Sequence, residues 1–231
     1  RLYPMYVLGA ILGIAGLVAL KLRGLTDFPW SAMADATALH LFYIPYFNDY
    51  GQHLFYNHPE STLFPLNNPA WSLFFELICA NALYALAARA SKWAPLEITA
   101  VSAVALVYVA RRYGSSPGWA THNFAGGFPR VLYAFFAGVV VYQFRDRLGG
   151  LRTRPLIVLI AVVVLFGMPR MAGFGHYWLV SALLAVPLFV ATAACADLPA
   201  GSGKRRIADY WGRLSYPLYC VHFPLPMLLA A

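Results

Sequence analysis

Glu76 is a carboxylate set deep in a strongly apolar stretch. That stretch reads Asn67-Asn68-Pro69-Ala70-Trp71-Ser72-Leu73-Phe74-Phe75-Glu76 and continues through Leu77, Ile78, Cys79, Leu83 and Tyr84 to Arg89. At a bilayer centre such a group costs roughly 2.5–3.5 kcal/mol on insertion scales, so something must hold it. Ser72 and Glu76 are four residues apart and share one helix face. The carboxyl can be ionised beside a cation from another helix, or neutral and hydrogen-bonded. The plainer alternative is a glutamate that only ties helices together. Arg130, near the start of a later apolar run, is the natural cation. Ala134 and Gly138 lie below it and would let a helix or a long thin substrate approach closely. An arginine snorkelling at the interface is the alternative there.

A second constellation closes the chain: Gly212-Arg213-Leu214-Ser215-Tyr216-Pro217-Leu218-Tyr219-Cys220-Val221-His222-Phe223-Pro224. Ser215, Tyr219 and His222 fall at i, i+4 and i+7, so the spacing predicts one stripe of hydroxyl, phenol and imidazole. Such a stripe can bind a polar substrate or relay protons, and a satisfied core histidine is the alternative. His40 is a lone imidazole on a weakly apolar segment and reads as structural. His53, His58, His122 and His176 fall in connections, with no His-x-x-x-His or Cys-x-x-Cys pattern anywhere. Cys79, Cys195 and Cys220 lie in apolar runs and read as packing residues, so no metal site is expected. Gly126-Gly127 follows no strand and opens no phosphate loop.

The elements that must position these groups are membrane helices. Of 231 residues, 61% are hydrophobic and only 11% charged, with a mean hydropathy of +0.61. A soluble domain carries about 25% charged residues. The net charge of +8 would fit nucleic acid in a polar chain. Here basic residues flanking helices account for it, and no nucleic-acid partner is expected. Eight apolar segments are predicted, at about 2–20, 31–47, 69–88, 96–110, 128–144, 155–168, 178–196 and 210–231. The second is weakened by Asp35, His40 and Pro45, and the sixth is short for a core about 30 Å thick. If all eight cross, twelve of the seventeen Lys and Arg share one side and five (Arg1, Arg111, Arg112, Arg130 and Arg170) the other. The positive-inside rule makes the first side cytoplasmic. With no initiator methionine and Arg1 directly against Leu2-Tyr3-Pro4, the chain reads as a fragment whose N-terminal part is missing, with a processed mature end as the alternative.

These residues resemble the acyltransferase type 3 family, integral membrane enzymes that O-acylate sugars and other acceptors on bacterial envelopes. Arg1-Leu2-Tyr3-Pro4-Met5-Tyr6 looks like the second half of the arginine-rich start of that family's third helix. Pro69 to Glu76 is similar to its Trp-Ser-Leu-x-x-Glu signature, and Leu214 to Pro224 to its closing Ser-Tyr-x-x-Tyr-x-x-His-x-Pro helix. The resemblance spans the whole chain. It implies an all-α, polytopic transmembrane bundle with about eight of ten expected helices present. It also implies a single acyltransferase domain over 1–231 that lacks its first two helices and, with them, the family's presumed catalytic histidine.

By the same resemblance, an acyl group, often acetyl, passes from acyl-CoA as co-substrate to a hydroxyl of a glycan or lipid-linked sugar. The setting would be the bacterial inner membrane, with no further cofactor. Glu76 and His222 would be the catalytic residues present. Arg1, Trp71, Ser72, Arg130, Ser215 and Tyr219 would bind substrate or hold the site, with Arg1 and Arg130 placed for the donor's phosphates or thioester. That role for Arg1 asks for the cytoplasmic side, whereas the charge count puts it outside. The competing class is a transporter or channel built on Glu76, Arg130 and His222, although no internal repeat is evident.

Overall fold

The computed structural model describes residues 2–49, 61–113, 117–148, 157–158, 160–161, 163–164, 177–195 and 201–230. Those residues are almost entirely helical, with one isolated bridge between Thr62 and Ala120 in place of any strand. The helices are α1 (Tyr3–Leu22), α2 (Trp30–Leu41), α3 (Ala70–Ala90), α4 (Ala94–Tyr113), α5 (Gly127–Gln143), the short α6 (Arg145–Leu148), α7 (Trp178–Ala194), α8 (Gly203–Val221) and α9 (Pro224–Ala230). A 3₁₀ turn, Thr121–Gly126, runs into α5. Among the described residues, four stretches are long and apolar enough to cross a bilayer: Tyr3–Leu22, Ala70–Ala90, Ala94–Tyr113 and Thr121–Gln143. The chain is an all-α bundle of an integral membrane protein.

Two predicted segments differ from the helices observed. The second yields only the twelve residues of α2, about 18 Å of rise, short of a hydrocarbon core. It stops because Tyr43 adopts a left-handed backbone (φ 58°) and turns the chain. The charge count requires all eight segments to cross, so the short α2 removes its basis. The eighth splits into α8 and α9 at His222–Phe223, with Pro224 opening the second helix. Its start moves back to Gly203, because the Lys204-Arg205-Arg206 run is amphipathic helix and not a loop. Most of the sixth segment lies outside the described residues, as do Arg1, His53, His58 and His176.

The described chain divides into two compact units. The first holds α1, α2, the start of α3, the 3₁₀ turn, most of α8, and α9. Between helices in lipid the hydrophobic effect gives no net pull, so close packing of small residues must supply the attraction. α1 shows how. Gly9, Gly13 and Gly16 form its inner face, against Asn67 and Cys220, Leu66, and Met227 in turn. A Cβ at Gly13 would collide with the Leu66 backbone, and one at Gly9 with the Cys220 carbonyl. Leu17, Leu20, Phe28, Met33, Leu66 and Met227 fill the layer around them.

The polar connection before α3 is pinned from both sides. Tyr46 N–H donates to the Leu63 carbonyl (2.8 Å) and Leu63 N–H to Trp119 (3.1 Å). Asn123 accepts the Gly118 and Ala120 amides (2.8 and 3.0 Å), which shapes the strand-like turn beneath. In the second unit, α3's end packs with α4 and α5 around Ala87, Ala94 and Phe136. Leu106, Tyr133 and Ala137 pack on Trp178, Leu179 and Leu183 of α7.

Candidate functional site

α3 begins with a tight turn. The amides of Ala70, Trp71 and Ser72 donate to the carbonyls of Asn67, Asn68 and Pro69 (2.9, 3.2 and 3.2 Å). Proline suits that place because a first-turn N–H has no helical acceptor anyway. After the four α-helical residues Ala70–Leu73 the helix widens into a π-helix over Phe74–Ala80. Insertions of this kind concentrate at functional sites, where the extra residue re-aims a side chain. Glu76 lies inside it and is exposed on the helix surface. Trp71 meets the edge of Phe75 (centroids 6.0 Å, 69°). It also lies against Gly118, whose positive φ (115°) and close neighbours leave no room for a Cβ.

Tyr219 of α8 joins the two sequence signatures. Its hydroxyl donates to the Pro69 carbonyl and lies 2.7 Å from the Ser72 hydroxyl, 147 positions away in the chain. Ser72 in turn hydrogen-bonds the Glu76 carboxyl group. Beside it, the Asn67 side-chain amide donates to the Cys220 carbonyl (2.9 Å). The start of α3 is therefore held by α8 at both Asn67 and Pro69.

His222 follows at the end of α8, exposed, with its ring 5.7 Å from that of Tyr219. Its Nδ1 lies 2.8 Å from the Tyr219 carbonyl. A carbonyl can only accept, so Nδ1 carries the proton and Nε2 presents its lone pair. A hydrogen-bonded N–H on one side and an open basic nitrogen on the other is the arrangement of a general base.

Ser215 does not join this group. The Ser215 hydroxyl donates to the Gly212 carbonyl of its own turn (2.8 Å) and is exposed, so the expected three-residue stripe reduces to Tyr219 and His222. Arg130 belongs to the second unit, where its guanidinium donates to the Pro117 carbonyl (3.2 Å). Arg1 lies outside the described residues. His40 is buried within the first unit. Two contributors were missed in the sequence. Asn67 carried a weak signal, a polar amide just before a proline-opened helix. The π-helix carried none, since Phe-Phe-Glu-Leu-Ile-Cys-Ala reads as ordinary helix.

If Tyr219 is the clamp, Tyr219→Phe loses about 1–3 kcal/mol of stability, because the Pro69 carbonyl and Ser72 hydroxyl both lose a partner. The variant melts lower in detergent. Adding Ser72→Ala then costs less than Ser72→Ala alone, the coupling expected of directly bonded groups. Strict additivity would show that the two hydroxyls do not cooperate.

No curated protein and no solved structure gives a match. A family model described as an acyltransferase domain covers residues 1–230, both signature stretches and everything between them. This helical membrane protein, in which Tyr219 fastens one signature to the other, belongs to the acyltransferase type 3 family of membrane acyltransferases.

Proposed function

We propose that the protein transfers an acyl group, acetyl in the first instance, from acyl-CoA to a hydroxyl of a carbohydrate or envelope glycan at the bacterial inner membrane. The observation that carries this reading is the His222–Tyr219–Ser72–Glu76 linkage, which joins a poised imidazole to the signature carboxylate in a chain the family model spans throughout. In the reaction, His222 Nε2 takes on the role that the resemblance gives to a first-helix histidine: it accepts the proton of the acceptor hydroxyl as that oxygen attacks the thioester carbonyl. The C–O bond forms, negative charge collects on the carbonyl oxygen, and the C–S bond then breaks. The imidazolium returns the proton to the departing CoA thiolate, so no oxidant or further co-reactant is needed.

Trp71, Ser72 and Tyr219 hold the geometry. Positive charge suits the CoA phosphates and the developing oxyanion, a role proposed for Arg1 and Arg130 from their places in the sequence. Residues 1–231 belong to a single acyltransferase domain on this reading, since the family match runs through both compact units. Expressing the protein from its own coding sequence in a bacterial host should add alkali-labile acyl esters to envelope glycans, detectable by NMR of the purified polysaccharide. Labelled acyl-CoA supplied to the membranes should transfer its label to the same positions. Membranes that bind the protein yet form no ester would refute the assignment.

A further inference from the structure

His40 is 1% exposed, and neither of its ring nitrogens has a hydrogen-bond partner among the described residues. The ring is fixed from every other direction. It stacks on Tyr6 (centroids 4.7 Å, 12°) and takes the edge of Phe64 (5.4 Å, 75°). Its own carbonyl accepts the Tyr6 hydroxyl (2.7 Å) and the Tyr43 amide (2.9 Å). Tyr43, held left-handed, also stacks on Tyr6 (4.0 Å). A bulky residue in that conformation persists only where its surroundings over-determine it. So the end of α2 is held tightly around an imidazole whose polar atoms are left bare.

Bare buried polar atoms are rare in folded proteins, and each needs a reason. Here they recur within the first unit. Asn67 spends its amide N–H on Cys220 and leaves Oδ1 unpartnered, and Asn68 Oδ1 and Thr62 Oγ1 are also buried without partners. Asn67 faces Gly9 of α1, one turn from Tyr6, which faces His40. A neutral imidazole offers one donor and one acceptor at opposite ring edges, and the two amide oxygens only accept. Apolar, purely accepting or cationic groups cannot serve that set. Hydroxyls can, because each both donates and accepts.

We propose that His40, with Asn67 and Asn68, forms an internal binding site for hydroxyl groups in the first unit, with separate hydroxyls on the two ring edges. Buried water and the hydroxyls of an acceptor share this chemistry; only the acceptor source rests on the acyl-transfer reading.

The test compares His40→Gln with His40→Met in the otherwise intact protein, reconstituted in lipid nanodiscs. The two side chains match in length and flexibility, and only glutamine keeps a donor and an acceptor. Resident water makes the glutamine variant melt higher than the methionine variant, with acceptor KM unchanged in both. An acceptor hydroxyl instead raises acceptor KM at least tenfold in the methionine variant and less in the glutamine variant. If methionine melts at or above glutamine, and both variants keep the wild-type KM, the site is dry and the proposal is overturned. Should the wild type form no ester, the melting order alone decides, so failure of the acyl-transfer reading stays distinct from failure of the site.

Discussion

His222→Ala lowers acyl transfer by about 10²–10⁴-fold, the range that a positioned general base contributes. The melting temperature should stay close to wild type, because the side chain is exposed and substitutions at exposed positions typically change stability by less than about 0.5 kcal/mol. The decisive control is chemical rescue. Added imidazole should restore part of the activity of His222→Ala, since a small base can occupy the space the side chain vacates. His222→Gln preserves the hydrogen bond to the Tyr219 carbonyl but offers no basic nitrogen, and it should be as inactive as alanine. Wild-type ester formation in His222→Ala would remove this residue from the reaction. Activity retained in glutamine alone would reduce it to a positioning role.

What made His222 legible in the sequence was its place in a short patterned stretch; its tautomer was not legible, because the acceptor that sets it is a backbone carbonyl. The same division runs through the fold. α1, α3, α4 and α5 were readable because each is a long apolar run, and length against bilayer thickness is a one-dimensional property. α2 was over-read because Phe42, Tyr43, Ile44, Tyr46 and Phe47 continue the apolar run after the helix has ended. What ends it is the left-handed Tyr43, stabilised by stacking on Tyr6, a residue 37 positions earlier. The clamp of Tyr219 on Pro69 and Ser72 is likewise a long-range fact. Spacing placed Tyr219 on a stripe with Ser215, whereas packing turned it toward α3 and left Ser215 to its own turn. Hydroxyls and amides find partners in three dimensions, so their roles were the least readable part of the site.

Glu76→Gln separates the two reasons a carboxyl could be kept in so apolar a helix. Glutamine matches glutamate in shape and can still hydrogen-bond Ser72, so a residue that only ties helices together would tolerate it. In that case activity persists, and stability holds or rises, because a neutral amide is cheaper than a carboxylate at membrane depth. The location of Glu76 argues for the other outcome. It occupies a π-helical segment and lies on the helix surface, connected through Ser72 to Tyr219, whose carbonyl orients His222. A tie between helices needs none of those features. We therefore expect Glu76→Gln to reduce kcat by about 10²-fold, with the acceptor KM changed little and the protein fully folded. That pattern marks an interaction made in the transition state and not in substrate binding. Glu76→Ala should fall at least as far and also melt lower, since Ser72 then loses its carboxyl partner. Equal, wild-type turnover in the glutamine variant would assign Glu76 to helix packing and leave His222 to act without it.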